Sequence, residues 1–315
     1  MTTALRSYWH PVAVSDKVAD KPYPVELLGE RVVLYRANGT VVAFRDLCIH
    51  RGVRLSLGTV RGENLVCAYH GWTYGPTGAC VLIPSQPANA AIPAKARATR
   101  FHAEERHGLV WVCLEDPVAP LPEFPQPGFP PMGDPSTDWF VVEFDWDVNP
   151  ARMTENSMDH SHFPFVHPGV LGDPQRPVYP EVEIELLDHG MQYVIPNHGN
   201  NTTRYYRLTL PFTLEISVLD NADPHKRVSM LFPSSPVGAR RTRHWFISVR
   251  NHDLDIPNSR LMERDVGVFF QDRMIVENQF PEELPLDIRE ELHLKRADKP
   301  ALEYRRLLQK IGVEW

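Results

Sequence analysis

Over the first hundred or so positions, apolar residues come in short runs broken by turn residues. Arg31-Val-Val-Leu-Tyr35, Val41-Val-Ala-Phe44 and Leu109-Val-Trp-Val-Cys-Leu114 read as strands, and Asn38-Gly39 between the first two is a hairpin signal. This pattern predicts an all-β domain over residues 1–116. A proline-rich stretch from Pro117 to Pro135, with Pro120, Pro122, Pro125, Pro127, Pro130 and Pro131 between, rules out helix and central strand. Residues 117–136 are therefore read as an extended linker packed across the surface. The remainder, 137–315, mixes both periods. Strand-like runs are Trp139–Phe144, Arg204–Leu210, Val228–Phe232 and Arg243–Val249, and helices are predicted around Pro150–His162 and Asn258–Gln279. A charged, helix-favouring tail covers Asp287–Gln309. Strands and helices in separate blocks predict an α+β domain on an antiparallel sheet.

Composition narrows the partners. With 315 residues and 43% hydrophobic content, two domains with real cores are expected. A net charge of −7 argues against nucleic acid or an anionic membrane as partner. No apolar run reaches the length of a membrane span, and the first residues lack the apolar core of a signal peptide, so a cytoplasmic protein is expected. No Gly-x-Gly-x-x-Gly follows a strand and no phosphate-binding loop is present, so electrons for any redox centre must come from a separate reductase.

Two arms carry candidate metal chemistry. Cys48-Ile-His50-Arg51-Gly52 and Cys67-Ala-Tyr69-His70-Gly71-Trp72 each pair one thiolate with one imidazole. A Rieske [2Fe–2S] centre requires that set, with one iron held by two cysteines and the other by two histidines. A structural zinc site accepts the same donors, but usually takes both cysteines from one arm and both histidines from the other. The remaining cysteines, Cys80 and Cys113, read as buried free thiols.

A second constellation lies in Asn156-Ser-Met-Asp159-His160-Ser-His162-Phe-Pro164-Phe-Val-His167. On a helix, Asn156, Asp159 and His162 would share one side. His167 would sit about 140° away on an ideal helix, and Pro164 is expected to distort the turn so that the two imidazoles converge. Two histidines and one carboxylate suit a non-haem Fe(II) site with open positions. For the carboxylate, the 258–279 helix offers Glu263, Asp265, Asp272 and Glu277, and spacing does not choose among them. Asp159, one turn before His162, is placed to take the outer N–H of that imidazole. His160 points off the stripe, so a surface or interface role is expected. Tyr205, Phe212, Phe232, Trp245 and Phe246 are candidate pocket walls or plain core.

Together, Cys-x-His-x₁₆-Cys-x-x-His and Asn-x-x-Asp-x-x-His-x₄-His resemble the catalytic α subunit of Rieske non-haem iron oxygenases over essentially the whole chain. Ile49 and Ala68 stand where that family commonly has proline. The segment through Gly172-Asp173 and the C-terminal region resemble the saxitoxin-tailoring hydroxylases and the pheophorbide a oxygenase-like branch. The resemblance implies an all-β Rieske domain followed by a helix-grip, START-like catalytic domain. It implies that Cys48, His50, Cys67 and His70 hold a [2Fe–2S] cluster, and that His162, His167 and Asp272 hold a mononuclear Fe(II). Asp272 is chosen because Asp272-Arg-Met-Ile-Val-Glu277-Asn-Gln279 follows the family's third-ligand pattern. It also implies that Asn156 lies near the iron and that Asp159 bridges to His70 of a neighbouring subunit in a homotrimer. The expected activity is mono-oxygenation, by hydroxylation or O- or N-dealkylation, of an aromatic or polycyclic small molecule. It would use O₂ and electrons from an NAD(P)H-dependent reductase, with or without a ferredoxin. Ring cis-dihydroxylation is the alternative reaction. On the residues alone, a Rieske electron carrier without its own catalysis and a zinc-stabilised scaffold remain as other classes.

Overall fold

In the computed structural model, which describes residues 3–198 and 201–315, the chain folds as two units. Arg6–Pro120 forms one; Leu121–Trp315, with the residues up to Leu5, forms the other.

The first unit is all β. Its strands are β1 (His10–Val14), β2 (Tyr23–Leu27), β3 (Glu30–Ala37), β4 (Thr40–Arg45), β5 (Thr59–Arg61), β6 (Asn64–Val66), β7 (Thr73–Tyr74), β8 (Cys80–Leu82), β9 (Arg100–Arg106) and β10 (Leu109–Cys113). Six of them pair antiparallel in the order β1-β10-β9-β4-β3-β2, and β5-β6-β7-β8 form a smaller sheet. Asn38 and Gly39 close the β3–β4 hairpin, both with positive φ (50° and 84°), as a two-residue turn of that type requires. One face of the larger sheet buries Val32, Leu34, Val41 and Val112, and the other face packs Tyr35 and Phe44 towards Leu65, Cys67 and Tyr74. The small sheet with its two loops therefore rests on the large one. Cys80 and Cys113 are buried free thiols.

The second unit is α+β. Its strands β11 (Asp138–Trp146), β12 (Glu185–Leu187), β13 (Gly190–His198), β14 (Thr202–Thr209), β15 (Thr213–Asp220), β16 (Arg227–Gly238) and β17 (Arg241–Arg250) make a seven-stranded antiparallel sheet, ordered β11-β17-β16-β15-β14-β13-β12. Helices α1 (Pro150–Met158), α2 (Phe163–Val166), α3 (Asn258–Val276) and α4 (Lys299–Lys310) complete it. Phe246 with Phe232 and Met230 receive α3 through Phe269, Leu261 and Val276, so the sheet grips the long helix. The proline-rich segment covers the opposite face. There Gln126 N–H donates to Glu215 Oε1 (2.7 Å), and the ring of Phe129 meets Tyr205. With both faces covered, β17 buries Trp245, Phe246, Ile247 and Val249 in succession, which is why it reads as a continuous apolar run.

The tail forms helix only from Lys299. From Asp287 to Asp298 the chain is non-helical, because its groups are engaged elsewhere in a buried ion cluster. The Arg305 guanidinium, 1% exposed, donates to both oxygens of Glu155 (2.7 and 2.6 Å) and to Glu291 (2.6 Å). Arg152, also buried, pairs with Glu291 at 2.8 Å and donates to the Pro281 carbonyl (2.7 Å). These four charges tie α1 to α4 and to the intervening segment. Removing one member strands buried charge, at a cost of roughly 3–5 kcal/mol. Arg305→Met is thus expected to lower the denaturation midpoint of this unit markedly, and Arg305→Met with Glu155→Gln to recover part of the loss. A midpoint within experimental error of the parent would show that the cluster does not anchor α1.

Candidate active site

The path from α1 to α2 is set by side chains that bond their own backbone. Asn149 caps α1, its Oδ1 accepting from the N–H of Ala151 (3.0 Å). Helix α1 stops at Met158, because Asp159 turns extended and its carboxylate accepts from the N–H of Ser161 (2.9 Å) and of His162 (3.2 Å). The predicted continuous helix to His162 is therefore corrected. An Asp-centred turn breaks it, and His162 is the N-cap of the new short helix α2. Pro164 sits in the first turn of α2, where no backbone donor is lost, and does not act as a mid-helix kink. Past α2, the N–H groups of Val170 and Leu171 both reach the carbonyl of His167 (3.1 Å). Gly172 allows this return: a Cβ there would lie 2.6 Å from Pro164 N and 2.8 Å from its Cα.

This turn converges three donors. Nδ1 of His162 faces Asp159 Oδ2 at 3.1 Å, and Nδ1 of His167 faces Gln271 Oε1 at 2.7 Å. Each carboxylate or amide oxygen fixes its imidazole with the N–H on Nδ1, leaving Nε2 as a lone-pair donor. The two Nε2 atoms then meet Asp272 Oδ1, on α3, at 3.3 and 3.0 Å. All three atoms are buried, lie within 4.8 Å of one another and form no hydrogen bond, although they approach within ion-pair distance. Burial alone would lower the pKa of His162, but Asp159 and Asp272 outweigh it and hold the imidazole up at about 9. Burial would likewise raise the Asp272 carboxyl, and the two imidazoles pull it below its ordinary value instead. Three orphaned, converging donors of this kind fit a divalent iron in a two-histidine, one-carboxylate site.

The donors open onto a cavity of about 120 Å³. Ile216, Met230, Phe232, Phe246, Val268 and Phe269 supply apolar walls, while Asn156, Ser157, Arg204 and Asp265 add polar groups. Of the candidate wall residues, Phe232 and Phe246 line the cavity; Tyr205, Trp245 and Phe212 do not. Tyr205 and Trp245 neighbour cavity-lining residues in their strands and so point to the other face. Phe212 stacks near Trp315 at the end of the chain. His160 is buried (6% exposed) among the rings of Phe163, Tyr193 and Tyr206, which corrects its expected surface role. Among the other acidic candidates, Glu277 is engaged by Asp147 N–H and Arg273, and Asp265 by Arg264. Neither Gln271 nor Gly172 was legible in the sequence, since their partners are fixed by tertiary folding.

In the first unit, the Cys/His arms form two matching hairpins. Cys48 N–H bonds to Val53 O and Gly52 N–H to Cys48 O; Cys67 N–H bonds to Trp72 O and Gly71 N–H to Cys67 O, all at 2.8–3.0 Å. Gly52 and Gly71 hold nearly equal positive φ (72° and 70°) to close them. The Cys48 and Cys67 sulfurs are buried (2% exposed), and Cys48 Sγ lies 3.2 Å from the Tyr74 hydroxyl. The rings of His50 and His70 are 4.6 Å apart, and His50 stacks on Trp72. His50 Nδ1 is buried without a partner. Among the described residues, no trio of these donors closes within 4.8 Å as the His162 group does. One tetrahedral zinc needs them that close, whereas a two-iron cluster spreads its ligands over two metals.

Comparisons with known proteins agree. Residues 8–99 match the Rieske [2Fe–2S] domain, and residues 146–314 the vanillate O-demethylase oxygenase C-terminal domain. The chain is 34% identical to methylxanthine N1-demethylase NdmA of Pseudomonas putida, over 98% of this chain and 89% of the relative. It is 32% identical to methylxanthine N3-demethylase NdmB of the same organism, over 90% and 83%. The solved structure of P. putida NdmA with caffeine superposes with a TM-score of 0.86 at 32% identity, covering 97% of this chain and 90% of that one. The chain belongs to the Rieske non-haem iron oxygenases. It is a catalytic subunit with a Rieske [2Fe–2S] cluster and a mononuclear iron as cofactors, and it uses O₂. Electrons reach a Rieske oxygenase of this kind from a separate reductase, and its substrate is a small molecule. Among the described residues, no helix is long and apolar enough to cross a membrane.

Because the missing Cβ at Gly172 is what lets the His167 loop close on α2, Gly172→Ala is expected to cost about 1–3 kcal/mol, as other overpacking changes do. Denaturation of the metal-free protein measures this, and an unchanged midpoint would mean that the loop yields freely.

Proposed function

We propose that this oxygenase removes a small alkyl group, in the first instance a methyl, from nitrogen on a flat aromatic heterocycle. The observation that carries this reading is the His162–His167–Asp272 trio opening directly onto an apolar, aromatic-walled cavity of about 120 Å³. The relatives at 34% and 32% identity are named as N-demethylases of methylxanthines, and the matched C-terminal family as an O-demethylase, which favours dealkylation over ring dihydroxylation.

In this reading His162, His167 and Asp272 hold the iron, and Cys48, His50, Cys67 and His70 hold the cluster. When bound, the iron supplies O₂ activation and the cluster supplies single electrons. The chain's own residues do the positioning. Phe232, Phe246 and Phe269 exclude water and flank the ring. Asp159 and Gln271 keep both imidazoles presenting Nε2, and Asn156 borders the metal from the last turn of α1. The net reaction converts an N–CH₃ group, O₂, two electrons and two protons into N–H, formaldehyde and water. Asp159 is about one-third exposed while touching His162, so it is reachable from outside. This supports a role as bridge to His70 of a neighbouring subunit, within a cytoplasmic homotrimer. The reductase uses NAD(P)H, directly or through a ferredoxin.

The deciding experiment supplies the loaded enzyme with a surrogate reductase and N-methylated heterocycles. One formaldehyde per N–H product is expected; cis-diol without formaldehyde would replace this reading with dihydroxylation. Asp272→Ala should keep the visible absorption of the cluster while iron content falls from about three per chain towards two, and undiminished iron would reassign the third ligand. In the metal-free protein Asp159 and Asp272 favour the protonated form of His162, and the imidazole must be neutral to bind metal. Apparent Fe(II) affinity should therefore rise with pH, by up to about tenfold per unit, and level off near pH 9. Affinity independent of pH between 7 and 9 would show that His162 is already neutral there and that Asp159 and Asp272 do not hold its proton.

A further inference from the structure

The cavity has one cation whose partners, the ring of Phe163 and the hydroxyl of Tyr206, carry no negative charge. Arg204, on β14, shares a sheet face with Tyr206 and Ile216 and lines the cavity beside the three metal donors. Its guanidinium carbon lies 5.5 Å from the centre of the Phe163 ring. Its Nε is buried and makes no hydrogen bond. Among the described residues no carboxylate comes within 4.0 Å of its guanidinium nitrogens. Two acids line the same cavity, and both are taken: Asp265 by Arg264 at 2.7 Å and Asp272 by His162 and His167. Elsewhere in this unit the buried guanidinium groups are matched: Arg305 and Arg152 with Glu155 and Glu291, and Arg250 with Asp138. A cation facing an apolar cavity without a counter-group is costly to keep, unless the molecule that fills the cavity supplies one. The planar guanidinium fork matches the lone pairs of a carbonyl or carboxylate oxygen.

We infer that Arg204 is a specificity-determining residue that receives an acceptor oxygen, carbonyl or carboxylate, carried by the substrate's ring system. Arg204 and the metal donors border a single small cavity, so the oxygen and the alkyl group to be removed belong to one compact molecule. The inference rests on the dealkylation reading and narrows it, since plain alkylated aromatics without such an oxygen become poor substrates. A purely structural Arg204 would act differently. Through its contact with Phe163, whose ring is 4.8 Å from that of His162, it would influence every ligand alike.

The test measures dissociation constants on the metal-loaded enzyme for three bicyclic probes: 1-methylindole, 1-methylindolin-2-one and 1-methylindole-3-carboxylate. The parent enzyme is expected to bind one oxygen-bearing probe about 10- to 100-fold more tightly than 1-methylindole. Which probe gains distinguishes carbonyl from carboxylate. Arg204→Met should bring that ratio close to one by weakening the oxygen-bearing probe alone, and Arg204→Lys should restore part of it. Cluster absorption and iron content of the variants report whether the metal centres are intact. Equal weakening of all three probes by Arg204→Met would overturn the inference in favour of a structural role, and so would an undiminished ratio. If the parent binds all three equally, the role of Arg204 falls while the dealkylation reading stands. If it binds none of them, the substrate class proposed for this cavity fails and the inference fails with it.

Discussion

Three lone-pair donors aimed at one buried point are the constraint around which the catalytic unit is organised. The Nε2 atoms of His162 and His167 and the Oδ1 of Asp272 crowd to 3.0–3.3 Å without hydrogen bonding one another. In a low-dielectric interior such a cluster is stable only with a cation, either a proton on the imidazole or a metal ion. Its surroundings explain how the protein enforces it. Asp159 and Gln271 lock the far side of each ring, Gly172 lets the loop fold back onto α2, and the Arg152–Glu155–Glu291–Arg305 cluster fastens α1 to the rest of the unit. The third donor comes from α3, which the sheet holds through Phe232, Phe246 and Phe269. No one element could hold this arrangement alone.

The first unit solves a related problem by repetition. Two short hairpins with the same backbone hydrogen bonds and the same glycine conformation present a buried sulfur and a more exposed imidazole each. The sulfur side is dry and the histidine side reaches solvent.

Much of this was readable from residue order. The two Cys/His arms, the His162–His167 pair and the strand-rich halves follow from local spacing and periodicity, and local rules predict them well. What escaped depended on contacts between distant segments. The helix over 150–162 looked continuous because helical spacing aligns Asn156, Asp159 and His162. The carboxylate of Asp159 instead bonds the backbone ahead of it and ends the helix. His160 looked superficial because it falls off the stripe of Asn156, Asp159 and His162, whereas the rings that bury it come from β13 and β14. The charged 287–298 stretch looked helical by composition, yet Glu291 is committed to two arginines from other helices. Gln271 is an ordinary polar residue until folding brings it to His167, 104 positions away. Two-sided burial of the sheet also hid which aromatic in each adjacent pair faces the cavity.

Much of the cavity wall and the metal donors come from different parts of the chain. Ile216, Met230, Phe232 and Phe246 stand on three adjacent strands, while the donors stand on α2, its flanking turns and α3. A combinatorial library confined to Ile216 and Met230 would therefore reshape which molecules fit while sparing both the donors and the Phe232 and Phe246 rings that seat α3. This separation lets one framework be retuned to new compounds, in the laboratory as readily as by descent.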